Sequence, residues 1–275
     1  MSHDDAQDGL DPGAEPALTI IRDPKVYLVG RQSVDSQAID DFLSDHDVRQ
    51  WSTDTDVAGE KLIEVAGRLC YMSFAKPRPG GNRAYIGHIL EVGHGSVLEH
   101  SVYNFIITGV SRSFTHELVR HRAGFGYSQL SQRFVDESEC AFVEPDAIAG
   151  DPELHAVWLE AVAAAQRAYK TLADGLAAKF SQIPDRTLRR KKAREAARSV
   201  LPNATETKIF VTANGRALRH FIEMRGDAAA DVEIRKVALA LLRILQVESP
   251  HLFGDYSIDD LPEGGQSAST PHRKV

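Results

Sequence analysis

Two short basic segments, separated by eight residues, carry a dense set of hydrogen-bond donors. Arg120-His121-Arg122 comes first, and Ser131-Gln132-Arg133 follows after a glycine-containing loop. A guanidinium presents a planar fork of N–H donors that matches phosphate oxygens and planar amide-like rings, and Ser and Gln side chains extend that set. The two segments therefore predict a site for a phosphorylated ligand with a planar ring. The alternative, which composition alone favours, is a solvated surface helix with a basic end.

Further charged residues precede the first segment on a predicted helix. The helix begins at Ser111, a good N-cap residue, and runs to about His121, and the apolar stretch 102–108 predicts the strand that leads into it. Residues three or four positions apart share a helix face. The side chains that this spacing places on neighbouring turns are those of Arg112, His116, Glu117 and Arg120.

The pattern along the rest of the chain predicts an α+β fold that is mainly helical, with a small sheet. Apolar runs at 25–30 and 208–212 predict two more strands. Apolar spacing and capping residues predict the helices, which cover residues 62–70, 82–92, 152–180, 185–201, 214–225 and 231–247.

Composition along the chain predicts one domain flanked by flexible segments. Residues 1–20 are rich in Asp, Gly, Ala and Pro and predict a flexible acidic tail, and residues 261–275, which include Gly264 and Gly265, predict a second flexible tail. Between them no Pro/Gly/Ser-rich linker and no internal repeat interrupts the sequence. We therefore predict a single domain over residues 21–260.

Composition and charge exclude several classes of protein. The chain is 43% hydrophobic and 26% charged, which is typical of a globular protein with a sizeable core. A net charge of -7 argues against a general nucleic-acid or membrane-surface binder, because such proteins attract phosphates with a basic field. No apolar run approaches the length of a membrane span, and the acidic start differs from a secretory signal. We expect a cytoplasmic protein with no nucleic-acid or membrane partner.

The cysteines and histidines do not form a recognisable metal site. Cys70 and Cys140 are too few for a disulfide framework, and they lack the clustered spacing of a zinc site. His94, Glu99 and His100 also match no zinc pattern, so we predict no metal. The sequence contains neither a Gly-x-Gly-x-x-Gly motif nor a P-loop, and it therefore supports neither a Rossmann site nor an ATPase.

A basic run between residues 186 and 198 is open to two interpretations. It can be an RNA-binding helix, or a solvated helix face with one or two functional members. The acidic charge of the whole chain favours the second interpretation. We take Arg198 as the member that reaches a nucleotide.

The order of the two basic segments resembles the signature of the flavin-dependent thymidylate synthases. That signature is Arg-His-Arg, a spacer of seven or eight residues, Ser, and Arg two positions later. The resemblance continues in the family's order from about residue 60 to 235, in the segments 67–71, 93–100, 197–202, 214–216 and 224–225. It implies the fold of that family, a mainly helical single domain whose small sheet is mostly antiparallel.

The resemblance also implies a reaction and an assembly. Members of this family methylate the uracil ring of dUMP to give dTMP, with methylenetetrahydrofolate as one-carbon donor, NADPH as reductant and FAD as cofactor. They form homotetramers whose active sites lie between subunits. This chain is therefore expected to be an FAD-dependent methyltransferase that shares its sites with other copies of itself.

Family roles carry over to individual positions of this sequence. The residues that the resemblance implies contact FAD are Ser96, Arg120, His121, Arg122, Gln129, Asn214, Gly215, Arg216 and His220. Those that it implies surround dUMP are Glu117, Leu118, Val119, Arg120, Gln129, Leu130, Ser131, Gln132, Arg133, Arg198 and Arg225. Arg225 is the implied catalytic residue, since a guanidinium can stabilise negative charge that develops on the pyrimidine ring.

We expect no cysteine or serine nucleophile. A thiolate needs an activating electropositive setting. Cys70 lies in an apolar helical pattern and Cys140 follows an acidic stretch, so neither has such a setting. Ser131 lacks an evident neighbouring base, and we expect it to hydrogen bond to the substrate phosphate.

Two alternatives stay open at the level of sequence. One is a protein of the same fold that modifies another pyrimidine nucleotide, for example by C5 hydroxymethylation. The other is a non-catalytic nucleotide-binding or RNA-binding protein. Bound flavin would argue against the second alternative, and analysis of the product formed from dUMP would identify the first.

Overall fold

The computed structural model describes residues 18–48, 51–76, 79–262 and 264–275. Within them the helices are α1 (Ser36–Asp45), α2 (Ala58–Leu69), α3 (Gly81–Glu91), α4 (Arg112–Leu118), α5 (Asp146–Ala149), α6 (Pro152–Lys179), α7 (Arg186–Ala197), α8 (Gly215–Arg225), α9 (Val232–Glu248) and α10 (Pro250–Phe253). Two 3-10 turns cover Gly95–His100 and Arg198–Val200. The strands are β1 (Ile20–Ile21), β2 (Lys25–Arg31), β3 (Val102–Ser111), β4 (Phe125–Gln129), β5 (Phe142–Val143), β6 (Glu206–Asn214), β7 (Ser257–Asp260) and β8 (Gln266–Ser269). The tail predicted over residues 1–20 lies almost wholly outside the described residues.

The main sheet has four strands in the order β2-β3-β6-β4, and each neighbouring pair is antiparallel. The register of the two central strands places Phe105 opposite Val211 and Ile107 opposite Ile209. All four of these side chains are buried. Because alternate strand residues face opposite sides of a sheet, one face of this sheet supplies the main core. The buried apolar side chains of α8 and α9 complete that core.

The opposite face of the sheet carries apolar side chains that are open to solvent. Tyr27 of β2, Ile106 of β3 and Phe210 of β6 are aligned across the three strands. Tyr27, Phe210 and the nearby Val29 are exposed, and Ile106 is half-buried. We call Tyr27, Val29, Ile106 and Phe210 the apolar row. Burying a large apolar side chain contributes about 1.5–3 kcal/mol, so this face favours contact with another surface.

Helix α2 turns its apolar stripe toward the surface. Leu62, Val65 and Leu69 recur at helical spacing, and a stripe of this kind ordinarily faces the core. Leu69 is nevertheless exposed, and the other two side chains are only half-buried. The side that α2 buries carries charged residues together with Ile63. The hydrophobic pattern therefore predicts the helix correctly but not the direction in which it packs.

Three charged side chains of α2, those of Glu60, Glu64 and Arg68, are buried. Arg68 Nε donates to Glu64 Oε1 at 2.7 Å, and Asn82 Nδ2 of α3 donates to Glu64 Oε2 at 2.8 Å. The backbone N–H of His251 in α10 donates to Glu60 Oε1 at 2.8 Å. Buried charges are tolerated when they are paired and hydrogen bonded. This network fastens α2 to α3 and α10.

The C-terminal segment is folded, which differs from the flexible tail predicted over residues 261–275. β8 pairs antiparallel with β7, and Gly264 and Gly265, both with positive φ, lie in the turn between them. Glycine adopts positive φ without strain, so the two residues that suggest a linker serve here as a hairpin turn. Ala268 and Val275 are buried in the main core. The folded unit thus extends past residue 260.

Two boundaries near the basic segments also differ from the prediction. Helix α4 begins after Ser111, as predicted, but it ends at Leu118 rather than near residue 121. The sequence does not predict β4, because Gly126 and Gln129 give this stretch little β propensity. Its backbone pairing with β6 forms the strand instead.

Candidate functional site

The two basic segments flank β4. Arg120-His121-Arg122 lies in the turn between α4 and β4, and Ser131-Gln132-Arg133 follows the strand. β4 pairs with β6, which leads directly into α8 through Asn214. The Asn214 side chain caps α8 by accepting from the N–H of Ala217 at 2.8 Å. The chain therefore brings α4, α8 and both segments together around β4.

Arg225, the last residue of α8, joins α8 to α4 and to the first segment. Its Nη1 donates to Glu117 Oε2 at 2.9 Å, and its Nε donates to His121 Nε2 at 3.0 Å. A guanidinium has five N–H donors. Two are used by these bonds, so three have no partner among the described residues. Both charged side chains are partly exposed, so the arginine is oriented and still accessible.

His121 is held as a neutral imidazole. Burial lowers its pKa to about 4, with further contributions from the charge of Arg225 and from His220. Because Nε2 accepts the hydrogen bond from Arg225, the proton of the neutral ring lies on Nδ1. The ring meets Phe221 edge-on, with the ring centroids 5.0 Å apart. His121 therefore orients Arg225 as an acceptor and adds no second charge.

Tyr127 of β4 fixes the turn that carries the first segment. Its hydroxyl lies 2.6 Å from the carbonyl oxygen of His121 and 3.0 Å from that of Leu118, and it donates to them. Burial raises the pKa of this phenol far above its usual range, so the group stays a donor at neutral pH. The backbone of the first segment is thereby tied to the sheet.

Of the residues that the resemblance assigns to FAD, Asn214, Gly215 and Arg216 form the start of α8, and Ser96 lies in the 3-10 turn beside it. Gly124 has a φ of +73°, and a Cβ at this position would lie 2.6 Å from Asn214 Nδ2. Only glycine fits such a contact without strain. Arg216 Nη1 donates to Glu99 Oε1 at 2.7 Å. This bond links α8 to the 3-10 turn that carries Ser96.

Three more residues of this set lie at the surface of the chain. His220 is exposed, and its ring centroid is 6.0 Å from that of His121. Arg120 and Arg122 are exposed, and neither side chain forms a hydrogen bond or an ion pair with any residue that the structure describes. The donors of the first segment are therefore free to bind a ligand.

Four residues of the predicted set have structural partners within the fold. The side chain of Leu118 is buried in the core. The backbone N–H groups of Leu130 and Gly215 donate to backbone carbonyls at 2.9 Å and 2.7 Å. Nε2 of Gln129 lies 3.3 Å from the hydroxyls of two buried threonines. Only the remaining polar atoms of these residues are available to a ligand.

Helix α7 positions the second segment. Nε of Arg133 lies 2.9 Å from Glu195 Oε2, an ion pair without hydrogen-bond alignment. Arg194 Nη1 donates to the carbonyl oxygen of Phe134 at 2.7 Å. The loop after β4 is thus held against α7. Arg198 follows at the end of that helix, in the second 3-10 turn.

Arg112 joins Arg198 on this side of the site, a role that the sequence does not assign to it. Burial lowers the pKa of the Arg112 guanidinium, Glu137 opposes that effect, and the charge of Arg198 adds to it. The two arginines are thus close enough for their charges to interact, and a pair of cations favours a doubly charged anion. The sequence places Arg112 on the first turn of α4, but no local pattern connects it to Arg198.

Two buried polar side chains in this region have atoms without a hydrogen-bond partner among the described residues. Gln132 and Glu137 are each 5% exposed, and the unpaired atoms are Gln132 Nε2 and Glu137 Oε1. Burial raises the pKa of Glu137 to about 6, against the opposing charge of Arg112. Leaving a buried polar atom unpaired is costly. Such atoms are typical of a region that completes its hydrogen bonds with a ligand or with water.

Metal and thiol chemistry have little support in this part of the molecule. Within the described ranges, no group of three His, Cys, Asp or Glu side chains is arranged to hold a metal ion. Burial, reinforced by Glu137, raises the pKa of the Cys140 thiol to about 12. A thiol with so high a pKa is a poor nucleophile at neutral pH. Cys70 is exposed.

Comparison with known proteins identifies the family. The family model described as thymidylate synthase complementing protein matches residues 53–251 of this chain. The chain belongs to this family. The matched range includes both basic segments, Arg225 and all the residues that the resemblance assigns to FAD or dUMP. The family resemblance predicted from the sequence is confirmed.

Members of the family with closely similar sequences are known. Flavin-dependent thymidylate synthases from Mycobacteroides abscessus and Mycobacterium avium are each 52% identical to this chain over 233 residues, which cover 84% of this chain and 92% of the relative. The protein of the same description from Mycobacterium tuberculosis is 51% identical over the same length.

Solved structures share the fold of this family member. The UMP/dUMP methylase PolB from Streptomyces cacaoi, bound with 5-Br dUMP, aligns with a TM-score of 0.61 and 22% identity, and the alignment covers 86% of this chain and 96% of that chain. The same protein bound with 5-Br UMP aligns with a TM-score of 0.59. The predicted α+β fold class is confirmed. No helix in the described part of the chain is long and apolar enough to span a membrane.

Proposed function

We propose that this member of the family is a flavin-dependent thymidylate synthase, which converts dUMP to dTMP. The observation that carries the proposal is the position of Arg225, which hydrogen bonds to both Glu117 and His121 beside the basic signature. Relatives that are 52% identical over 84% of this chain carry that name. The one-carbon donor is methylenetetrahydrofolate and the reductant is NADPH, as the family resemblance implies.

Arginines on α4, on the second segment and at the end of α7 would bind the phosphate of dUMP. A phosphate monoester carries close to two negative charges at neutral pH, and guanidinium groups are its strongest partners. The charge of Arg198 contributes to the lowered pKa of Arg112, so both cations would act on a phosphate bound on this side of the site. Gln132 Nε2, which lacks a partner among the described residues, and the hydroxyl of Ser131 can add neutral donors.

Residues around the start of α8 would hold FAD, and the groups present suit it. The side chains of Arg120 and Arg122 have no hydrogen-bond or ion-pair partner among the residues that the structure describes. The Arg216 side chain is oriented by Glu99. Guanidinium groups near a helix N-terminus favour a phosphate-bearing ligand, since both attract negative charge. FAD, when bound, supplies the hydride that completes the methyl group.

Arg225 would stabilise the pyrimidine ring as it gains negative charge. Loss of the N3 proton leaves charge on the N3 and O2 edge of uracil, and a guanidinium beside that edge favours the charged ring, whose C5 is then more nucleophilic. Arginine stays protonated, so it is not the base that removes the proton. Glu117 and the neutral His121 keep its orientation. Such activation of the ring needs no thiolate, in keeping with the high pKa of Cys140.

The active assembly would be a homotetramer whose sites lie between subunits. Arg120, Arg122 and His220 are exposed in a single chain, so a second subunit is needed to shield a cofactor from water there. Apolar surface is available for such contacts in the apolar row, and also just after α2, where Tyr71 is 74% exposed. A cytoplasmic location and the lack of nucleic-acid partners stay predictions from the sequence.

Conversion of dUMP by the purified protein tests the proposal. We expect a yellow protein with flavin absorbance that forms dTMP only when dUMP, methylenetetrahydrofolate and NADPH are all present. A hydroxymethylated nucleotide as product would show that the protein modifies a pyrimidine in another way. Nucleotide binding with neither flavin nor product would show a non-catalytic protein, and either result would overturn the proposal.

A further inference from the structure

The last residues of the chain run back across α8. We call residues 270–275 the C-terminal arm. Thr270 Oγ1 donates to Asp255 Oδ2 at 2.5 Å, and the carbonyl oxygen of His272 accepts from Arg219 Nη2 at 3.3 Å. Arg219 is itself buried and donates to Asp255 Oδ1 at 2.7 Å. The start of the arm is therefore fastened to the middle of α8.

The arm is fastened a second time at Glu223 of α8. Glu223 Oε1 accepts from Arg273 Nε at 3.1 Å, and Oε2 accepts from the backbone N–H of Lys274 at 2.9 Å. The Glu223 side chain is 8% exposed, so these are its principal partners. Lys274 has a φ of +60°, a conformation that is unfavourable for a non-glycine residue. The contacts on either side of Lys274 must offset that cost.

Val275 lies beside residues that the family resemblance assigns to FAD. Its side chain belongs to the main core. A Cβ added to Gly95 would lie 2.6 Å from the backbone carbonyl carbon of Val275 and 2.9 Å from Arg216 Nε. The arm, Gly95 and Arg216 are thus packed without room for one methyl group. Gly95 begins the 3-10 turn that carries Ser96 in the next position.

One face of α8 connects these contacts. Arg216, Arg219 and Glu223 are separated by three and four positions, so they share a side of the helix. The arm is hydrogen bonded to that side at Arg219 and Glu223, and its last residue, Val275, lies with Arg216 around the space beside Gly95. Arg216 is held from the other direction by Glu99 at 2.7 Å. Its guanidinium is therefore oriented by Glu99 of the turn, and the arm closes the space between that turn and Arg216 at Gly95.

We propose that the C-terminal arm is a positioning element of the flavin site, which holds Arg216 and the turn at Gly95 in the arrangement that receives FAD. The inference rests on the proposed function, because it takes FAD as the ligand of Arg216. The arm lies outside residues 53–251, the range that the family model matches, so it is a feature of this chain beyond that range. A group that is oriented before binding loses less freedom on binding, so release of the arm weakens FAD affinity.

Two substitutions at Lys274 form a matched test. Lys274→Pro removes the N–H that donates to Glu223, and the proline ring cannot adopt a φ of +60°. Lys274→Gly keeps the N–H and adopts that φ without strain. The Lys274 side chain is exposed, so neither change removes a side chain from the core. We expect Lys274→Pro to weaken FAD binding about tenfold, on the order of one charge-assisted hydrogen bond, and Lys274→Gly to bind FAD like the parent.

Flavin-free full-length protein is titrated with FAD, and the quenching of flavin fluorescence reports binding. The affinity for dUMP is measured in parallel by calorimetry. Binding of dUMP should stay within about twofold in both variants, since its phosphate site is built from other elements. Glu223→Ala, which removes both acceptors, should repeat the loss of FAD affinity. In the parent, FAD should slow hydrogen exchange in residues 270–275, whereas dUMP should not.

The outcomes separate this inference from the proposed function. If Lys274→Pro and Glu223→Ala both bind FAD as tightly as the parent, the arm has no role in the flavin site. Equal losses for FAD and dUMP would also overturn the inference, because they would reveal a general loss of structure. A parent protein that binds dUMP but never FAD would instead refute the proposed function, and this inference with it.

Discussion

Arg225 donates hydrogen bonds to one anion, Glu117, and to one neutral acceptor, His121. Glu117 pairs with its charge, while His121 accepts a hydrogen bond and stays neutral because its pKa is lowered to about 4. A protonated imidazole in the same place would repel the guanidinium and remove the acceptor. The low pKa of His121 therefore protects the orientation of Arg225 throughout the neutral range.

Two substitutions of Arg225 should distinguish the contribution of its charge to activity from the contribution of its planar shape. Arg225→Ala should lower dTMP formation by about 10² to 10³-fold, which is typical for the loss of one donor that stabilises developing negative charge. Arg225→Lys keeps the charge but loses the planar fork, so it should recover only part of the rate. Flavin absorbance after desalting should stay close to that of the parent. A parental rate for Arg225→Ala at saturating dUMP would show that the guanidinium is not part of the chemistry.

The carboxyl group of Glu137 should make stability depend on pH. Burial raises its pKa from 4.5 to about 6, so between these values the folded chain keeps a proton that the unfolded chain has released. Its contribution to stability is therefore present below about pH 4.5 and is lost as the pH rises through about 6. Glu137→Gln resembles the protonated form at every pH. Its free energy of unfolding should fall less between pH 5 and pH 8 than that of the parent, by about 1–2 kcal/mol at most.

Urea unfolding at constant ionic strength measures this difference. Glu139→Gln is the matched control, because Glu139 is exposed and pairs only with Lys170 at the surface. The control should follow the parent at each pH. Parallel pH profiles for Glu137→Gln and the parent would contradict the assigned pKa shift.

The turn that leads into β4 depends on one glycine, Gly124. Gly124 has positive φ and lies against Asn214, whereas Gly126 lies within β4 with only an ordinary contact to Thr212 at 3.8 Å. Gly124→Ala should lower the free energy of unfolding by about 1–3 kcal/mol and reduce bound flavin, because the loop must shift to admit the methyl group. Gly126→Ala should retain both stability and flavin. Denaturant unfolding and flavin absorbance of the two variants test this, and equal behaviour would contradict the role of the turn.

Local signals in the sequence are enough to predict where the helices of the site begin. Ser111, Asp185, Asn214 and Asp231 are each predicted helix starts, and each accepts hydrogen bonds as an N-cap. N-caps are local, because the partner lies two or three residues away. β4 escapes prediction since its pairing partner, β6, is remote in sequence.

The candidate site is likewise predictable from the sequence only where the signal is local. The order of the two basic segments is readable from the sequence, and the family that it indicates is confirmed. Arg112 and Glu137 are not found in this way, because they meet only when α4 packs beside the loop after β4. The contact of Val275 with Gly95 is equally hidden, since it joins residues that are far apart in the sequence. Side chains that are brought together by tertiary packing leave no periodic trace in sequence.

The molecule as a whole exposes apolar surface while it buries charge. The apolar row covers one face of the sheet, and α2 presents its apolar stripe outward while Glu60 and Glu64 lie inside. Association with another copy would remove this surface from water. Folding would then be linked to assembly, and the stability of the proposed assembly would depend on concentration by mass action.

Thermal unfolding should therefore shift with protein concentration. We expect Tm to rise over a roughly hundredfold increase in concentration, because association stabilises only the folded chain. Phe210→Asp, within the apolar row, should reduce that dependence and lower the mass found by sedimentation. Val247→Asp is the control, since Val247 is 83% exposed on α9 and lies outside the row. A Tm that is independent of concentration in the parent would argue against assembly through this face.

The antiparallel pairing of β3 with β6 sets the order of events during synthesis of the chain. Phe105 and its partner Val211 are about a hundred residues apart, so β3 leaves the ribosome long before the strand that completes its ladder. At about 5–20 residues per second, the interval is on the order of 5–20 s. Throughout that time β3 can pair with β2 but lacks its partner on the other side, and the emerging segment exposes a strand edge that can aggregate. Nascent chains arrested before residue 206 should be digested readily by protease. Chains in which β6 and α8 have emerged should resist digestion. The unfinished polypeptide is therefore the form of this protein that most needs a chaperone.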